Sequence, residues 1–193
     1  IIDISHTGFV SELFKDISED KREVLLSYVN AKNPSGIKKA CAQFGLGISL
    51  TEKAVKLASL YGSFEDVIDE LKKLSINNKT DEVIDELEGI YRMLKIYDLG
   101  KNINIDFSII NNMSYYNGIV FKGYVSGIPS NILSGGRYDK LLHKLGKNAG
   151  AIGFALYLDM LDMLNIEDDE YDADVLIMYD KEVSPEKVTA LAE

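Results

Sequence analysis

Three short stretches bring together residue types that could hold a ligand. In SGGRYDKLL, residues 134–142, Gly135 and Gly136 close a strand-like run, and glycines there let backbone approach a ligand closely. The helix that follows would offer free N–H groups to an anion. Arg137 adds a planar donor fork suited to a carboxylate or phosphate. The same residues also suit a plain glycine turn ahead of a helix. In GAIGFALYLDML, residues 150–161, Gly150, Ala151, Gly153 and Ala155 keep a strand thin. Something bulky can lie against such a strand, and tight strand-to-helix packing is its other use. In MSYYNGIVFKGY, residues 113–124, Tyr115 and Tyr116 either line a pocket for a polar ligand or fill a sheet. Alternation along a strand sends them to opposite faces unless a bulge intervenes.

Other reactive residues have plainer uses. His6 and His143 lie far apart without a carboxylate partner in sequence, and His6 suits the fixing of a strand-to-helix turn. Cys41 falls on the apolar stripe Ile37, Ala40, Cys41, Phe44, a helix core face. As the single cysteine it excludes an internal disulfide and weighs against a zinc knuckle. The acidic runs EDVIDELKK and DEVIDELEG read as solvated helix faces. No glycine-rich loop of the Rossmann or P-loop type occurs, so no cofactor is expected. The formal charge of −10, with no basic run, weighs against nucleic acid as a partner. No run of about 18 apolar residues or signal-peptide pattern points to a membrane. Cysteine usage and composition suit the cytoplasm.

The elements that position these stretches follow from periodicity. Residues 1–7 open with a β-rich IIDIS, and residues 8–100 carry a helical pattern of four to six helices. Ser18, Pro34, Ser63 and Thr80 mark helix starts, Gly45, Gly62 and Gly100 mark ends, and Ser49 with Glu52 predicts a capping box. Residues 101–166 switch to a period of 2. INIDFS, YYNGIVFKGYVSG and IPSNILSGG read as strands, RYDKLLHKLG as a short helix, and AGAIGFALYLDMLDML as a strand running into an amphipathic helix packed on the sheet. Residues 167–193 predict a buried strand, DADVLIMYD, and a helix from SPEKVTALAE, which suits the start of a further α/β domain. Both chain ends read as cuts within a larger protein.

Taken in order, YYNGIVF, SGGRYD and AIGFAL resemble the catalytic core of histidyl-tRNA synthetases and their paralogues. In that family a strand read roughly YYTGIVFE is followed by GGGRYDGL and then AVGFALGLERL. The resemblance is strong over residues 103–161, looser over the helical stretch and topological in the tail. It implies an α+β fold: a class II aminoacyl-tRNA synthetase-like antiparallel sheet core, a helical insertion and the start of a C-terminal α/β domain. It also implies a histidine site in which Tyr116 and Tyr138 surround the ligand. Arg137, Gly135 and Gly136 would shape that site. Tyr116 would face the pocket, with Tyr115 beside it packed into the opposite layer.

The departures from that pattern bear on chemistry. Asn111 stands where the family phrase VRGLDYY has its arginine, and Ser114 where it has its aspartate. Met160 replaces the phosphate-binding arginine of GLERL, and Tyr157 a small glycine. Removing one such electrostatic donor costs about 10²–10³ in rate, so no adenylation is expected. A histidine-binding fold without those arginines resembles the regulatory subunits of ATP phosphoribosyltransferase. The opening DISHTGFVSELF is similar to that branch's DIGHVGF-type segment. This implies a non-catalytic subunit with L-histidine as effector and the short-form ATP phosphoribosyltransferase catalytic subunit as partner. A homodimer through the synthetase-like core would sit within a hetero-oligomer. Two other readings stand beside it. One is an authentic or divergent histidyl-tRNA synthetase, against which Asn111 and Met160 argue. The other is a synthetase-like sensor of uncharged tRNA, against which the acidic charge argues.

Overall fold

Alternation in β1 (Ile2–His6) sends Ile2, Ile4 and His6 to one face and Asp3 and Ser5 to the other. The computed structural model describes residues 1–110, 115–164, 176–180 and 183–192. The chain divides into two compact units, Ile1–Met163 and Leu164–Glu193.

In the first unit, β1 is central to a six-stranded sheet. The other strands are β2 (Tyr61–Ser63), β3 (Ile103–Asp106), β4 (Ile119–Gly123), β5 (Leu133–Arg137) and β6 (Ile152–Leu156). Their spatial order is β2-β3-β1-β4-β5-β6. Only β1 and β3 run parallel; every other neighbouring pair is antiparallel. The register gives the sheet two chemistries. Ile4, Ile105 and Phe121 are cross-strand partners on one side. On the other, Asp3 is flanked by Asn104 and Lys122, and Lys122 in turn by Ser134.

Six helices connect β1 to β3: α1 (Thr7–Leu13), α2 (Glu19–Asn30), α3 (Pro34–Phe44), α4 (Ile48–Ser59), α5 (Phe64–Lys73) and α6 (Asn78–Ile96). Ile4, Ile105 and Ile119 share one core with Phe9 of α1, Leu71 of α5 and Leu87 of α6. Pro34 takes the first turn of α3, and Gly45 ends it at φ 69°, a left-handed position that favours glycine. Cys41 is buried on the expected face. The α5 cap is also as expected, with Ser63 Oγ accepting from the Asp66 N–H.

Several expected boundaries are corrected. The Ser49–Glu52 capping box does not form: α4 starts at Ile48 with Gly47 as cap, so Ser49 already lies inside the first turn. The α6 cap is Asn77 rather than Thr80, whose hydroxyl instead completes a capping box with it. Gly62 does not end α4 but sits in β2, a strand pairing with β3 that the helical pattern hid. The YYNGIVFKGYVSG strand shortens to β4. The short helix α7 (Asp139–Lys144) follows β5 as expected. Leu158–Met163 forms a 3-10 segment with no buried residue, so the anticipated packing of this Met-rich stretch on the sheet is absent.

Among the described residues of the second unit, α8 (Pro185–Ala192) matches the expected final helix. Leu176–Asp180 form no strand, and Leu176 and Met178 are exposed. A buried strand keeps its apolar side chains out of water, and Leu176 and Met178 do not. The rest of the expected strand, residues 172–175, lies outside the described residues, as do Asn111 and Ser114.

Candidate functional site

Strands β4 and β5 pair Val120 with Gly136 and Lys122 with Ser134, placing all four on the polar side of the sheet. Over them lies a pocket of about 370 Å³, lined also by Ile109, Tyr116 and Tyr157. That is near the lower end of the roughly 300–1,000 Å³ usual for ligand sites, which suits a small molecule. Gly136 is required by close approach. A Cβ there would lie 2.7 Å from the Ile119 carbonyl oxygen and 2.8 Å from the Tyr116 ring. A Cβ on Gly153 would lie 2.8 Å from the Tyr138 hydroxyl oxygen, so the thin strand β6 accommodates a tyrosine of the protein itself.

The tyrosines form one cluster. The Tyr115 ring meets Tyr116 edge-on at 4.8 Å and stacks on Tyr138 at 5.7 Å. Tyr115 is therefore not packed into the opposite layer. The physical reason is that β4 begins only at Ile119, so strand alternation does not govern residues 115 and 116. Burial, followed by the neighbouring Tyr115, Tyr157 and Tyr138, pushes the Tyr116 phenol above its ordinary range. It stays protonated and able to donate. At the far end of the pocket the Ser134 and Tyr157 hydroxyls lie 2.8 Å apart. Met160, expected where an arginine would bind phosphate, instead receives a hydrogen bond from the Ser130 hydroxyl at 3.5 Å.

Arg137 does not line this pocket. It alternates to the other side of β5 from Ser134 and Gly136. There its Nε donates to Asp139 Oδ2 at 2.7 Å, and Nη1 lies 3.8 Å from Glu86 Oε1. Asp139 also accepts the Ala151 N–H at 2.8 Å. That bond, with Arg137 beside it, holds the carboxyl below its usual range. Arg137 thus joins β5 to α7 and to α6, and its fork is engaged by the protein's own carboxylates. Glu86 is shared with His6, whose Nε2 lies 3.3 Å from Glu86 Oε2. His6 Nδ1 accepts the Gly8 N–H at 3.0 Å, so the imidazole does fix the turn from β1 into α1.

Of the residues expected at the site, Tyr116 and Gly135 line the pocket, Gly136 lies beneath Tyr116, and Tyr115 and Tyr138 complete the aromatic cluster. Sequence alone does not single out Lys122, Asn131 and Ser134. The alternation Val120, Lys122 was available to mark Lys122, but Ser134 needed the β4–β5 register. No group of three or more metal-ligating side chains occurs among the described residues, and no described helix is long and apolar enough to cross a membrane.

Comparison with known proteins adds four findings. A family described as histidyl-tRNA synthetase matches residues 1–161. An ATP phosphoribosyltransferase regulatory subunit from Acetivibrio thermocellus is 32% identical over 187 residues, covering 94% of this chain and 44% of the relative. The chain thus spans less than half the length of that relative. A crystal structure described as an ATP phosphoribosyltransferase regulatory subunit/histidyl-tRNA synthetase from Bacillus halodurans superimposes with a TM-score of 0.75 at 29% identity, covering 85% of this chain and 44% of that one. A Thermotoga maritima ATP phosphoribosyl transferase (HisG:HisZ) complex matches with a TM-score of 0.63 at 20% identity, covering 81% and 53%, a likeness of fold.

Proposed function

The chain belongs to the histidyl-tRNA synthetase family, and from that premise we propose that it serves as a non-catalytic regulatory subunit of ATP phosphoribosyltransferase. Its role would lie in the first step of histidine biosynthesis and in feedback inhibition of that step by histidine. The observation that carries this reading is the likeness to a regulatory subunit along 94% of the chain. The pocket is consistent with it. Tyr116, Ser134, Lys122 and Tyr157 can hold a small polar ligand, whereas a thioether at position 160 offers nothing to a phosphate.

In this reading L-histidine is the effector, bound near Tyr116 with Tyr115 and Tyr138 supporting that ring, while Gly135 and Gly136 keep the floor low. Arg137 braces β5 and contributes to the site's shape from behind. The partner is the short catalytic subunit, and the chain pairs with a second copy through the synthetase-like core within a cytoplasmic hetero-oligomer. Residues 1–7 and 101–166 make up that core, 8–100 its helical insertion and 167–193 the start of a C-terminal α/β domain.

A histidyl-tRNA synthetase would share the family and the fold but must activate histidine with ATP. Histidine-dependent exchange of pyrophosphate into ATP separates the two. The intact protein is expected to show none above background. Robust exchange would overturn the regulatory reading in favour of the synthetase.

A further inference from the structure

Tyr115 and Tyr116 stand outside the ladder of β4, which begins at Ile119. The two residues after them supply what holds their backbone. The Asn117 N–H donates to the Arg137 carbonyl at 2.9 Å. Gly118 is gripped by Thr7, whose Oγ1 accepts the Gly118 N–H at 2.9 Å and donates to the Gly118 carbonyl at 3.1 Å. The Arg137 stem crosses over Gly118, where a Cβ would lie 2.9 Å from the Arg137 Cδ.

Asn117 makes a second connection through its side chain. Helix α7 begins at Asp139, and its cap residue Tyr138 makes no side-chain cap bond. Asn117 Oδ1 stands in for that cap, accepting the Lys140 N–H at 3.2 Å. A helix start leaves such a donor without an intrahelical partner. The other half of the amide, Nδ2, donates to Asp139 Oδ2 at 3.4 Å. Asn117 directly follows Tyr116, while Asp139 and Lys140 directly follow Tyr138. One side chain thus ties together the two segments that carry the aromatic cluster, in which the Tyr115 ring meets Tyr116 at 4.8 Å and Tyr138 at 5.7 Å. An alanine at 117 would keep the backbone bond to Arg137 and lose both side-chain bonds.

We propose that Asn117 is a positioning residue of the pocket, setting the Tyr116 ring over Gly136 by fixing its segment to the start of α7. Asn117 does not itself line the pocket, so it acts through Tyr116. This rests on the reading of the pocket as a histidine site and adds what aligns that site.

A double-mutant cycle on the intact protein, read by calorimetric titration with L-histidine, tests this. Asn117→Ala is expected to weaken histidine about fivefold or more, the equivalent of at least one neutral hydrogen bond. In a Tyr116→Ala background, titrated at higher histidine, the same change is expected to cost nothing further, because the ring it positions is gone. Asn117→Asp keeps the acceptor for Lys140 but sets a carboxylate against Asp139. It should weaken histidine by a smaller factor, and it carries the test if the alanine variant does not fold. Near-ultraviolet circular dichroism adds a readout without ligand. The chain has no tryptophan, so this signal arises from packed tyrosines and phenylalanines. Asn117→Ala should reduce it while the far-ultraviolet spectrum holds. Unchanged histidine affinity in both Asn117 variants, or additive losses in the cycle, overturns the positioning role while histidine binding stands. If the intact protein binds no histidine, the histidine reading falls by itself. A near-ultraviolet signal unaffected by Asn117→Ala then overturns the positioning as well, and a reduced one upholds it.

Discussion

His6 is buried at the junction of β1 and α1, and with Nδ1 accepting from Gly8 its remaining proton sits on Nε2, toward Glu86. Burial holds this imidazole below its ordinary value of 6.5, with Arg137 acting in the same direction and Glu86 opposing. In the unfolded chain it titrates near the ordinary value. As pH falls through about 6.5, the unfolded state therefore takes up a proton that the folded state refuses, and stability declines until the depressed folded value is reached. One such group contributes at most about 1.4 kcal/mol per pH unit. His6→Asn keeps a side-chain acceptor for the turn and is expected to flatten the difference in urea midpoint between pH 7.5 and pH 5.5. An unchanged difference would contradict this account. The turn-fixing role of His6 was legible in the sequence because it depends only on local spacing. The place of Tyr115 was not, because it depends on where β4 starts, and that start is set by pairing with β1 and β5.

At the scale of elements, caps that close on neighbouring residues read well and those settled by tertiary contacts did not. Pro34, Gly45 and Ser63 sit as their types predict. The Ser-x-x-Glu pattern at 49–52 was misleading because α4 begins one residue before it. Strand β2 is only three residues long, and it forms because β3 offers it a ladder, which no local pattern announces. The start of α6 combines both kinds of signal. Asn77 Oδ1 accepts from the Lys79 and Thr80 N–H groups, and its Nδ2 donates to Glu12 of α1 at 2.7 Å. Asn77→Ala removes a cap worth about 1 kcal/mol together with the tie to α1. The expected result is a melting temperature lower by at least about 2–4 °C, measured by circular dichroism; no shift would mean that α6 is held by its core face alone.

At the scale of the sheet, Ile4, Ile105 and Ile119 join the core with the helices, while Tyr116, Phe121, Ser134, Gly135 and Tyr157 are among the residues lining the pocket. The described sheet ends at β6, where Ile152, Phe154 and Leu156 are exposed on the same side of the strand. An unpaired apolar edge of this kind promotes association. The 193-residue chain on its own is expected to self-associate measurably by light scattering, and Phe154→Lys to reduce it; equal scattering from both would place the sticky surface elsewhere. The motif order along β4, β5 and β6 made this fold legible through resemblance, while the place of Ser134 in the pocket emerged only once the strands were set in register. Regulation by this protein is read out by phosphoribosyl-ATP formation by the short catalytic subunit from the same organism, with and without the intact protein, followed by titration with L-histidine. The protein is expected to stimulate formation, and histidine then to inhibit it. A rate unaffected by the protein at every histidine concentration would rule out a regulatory subunit.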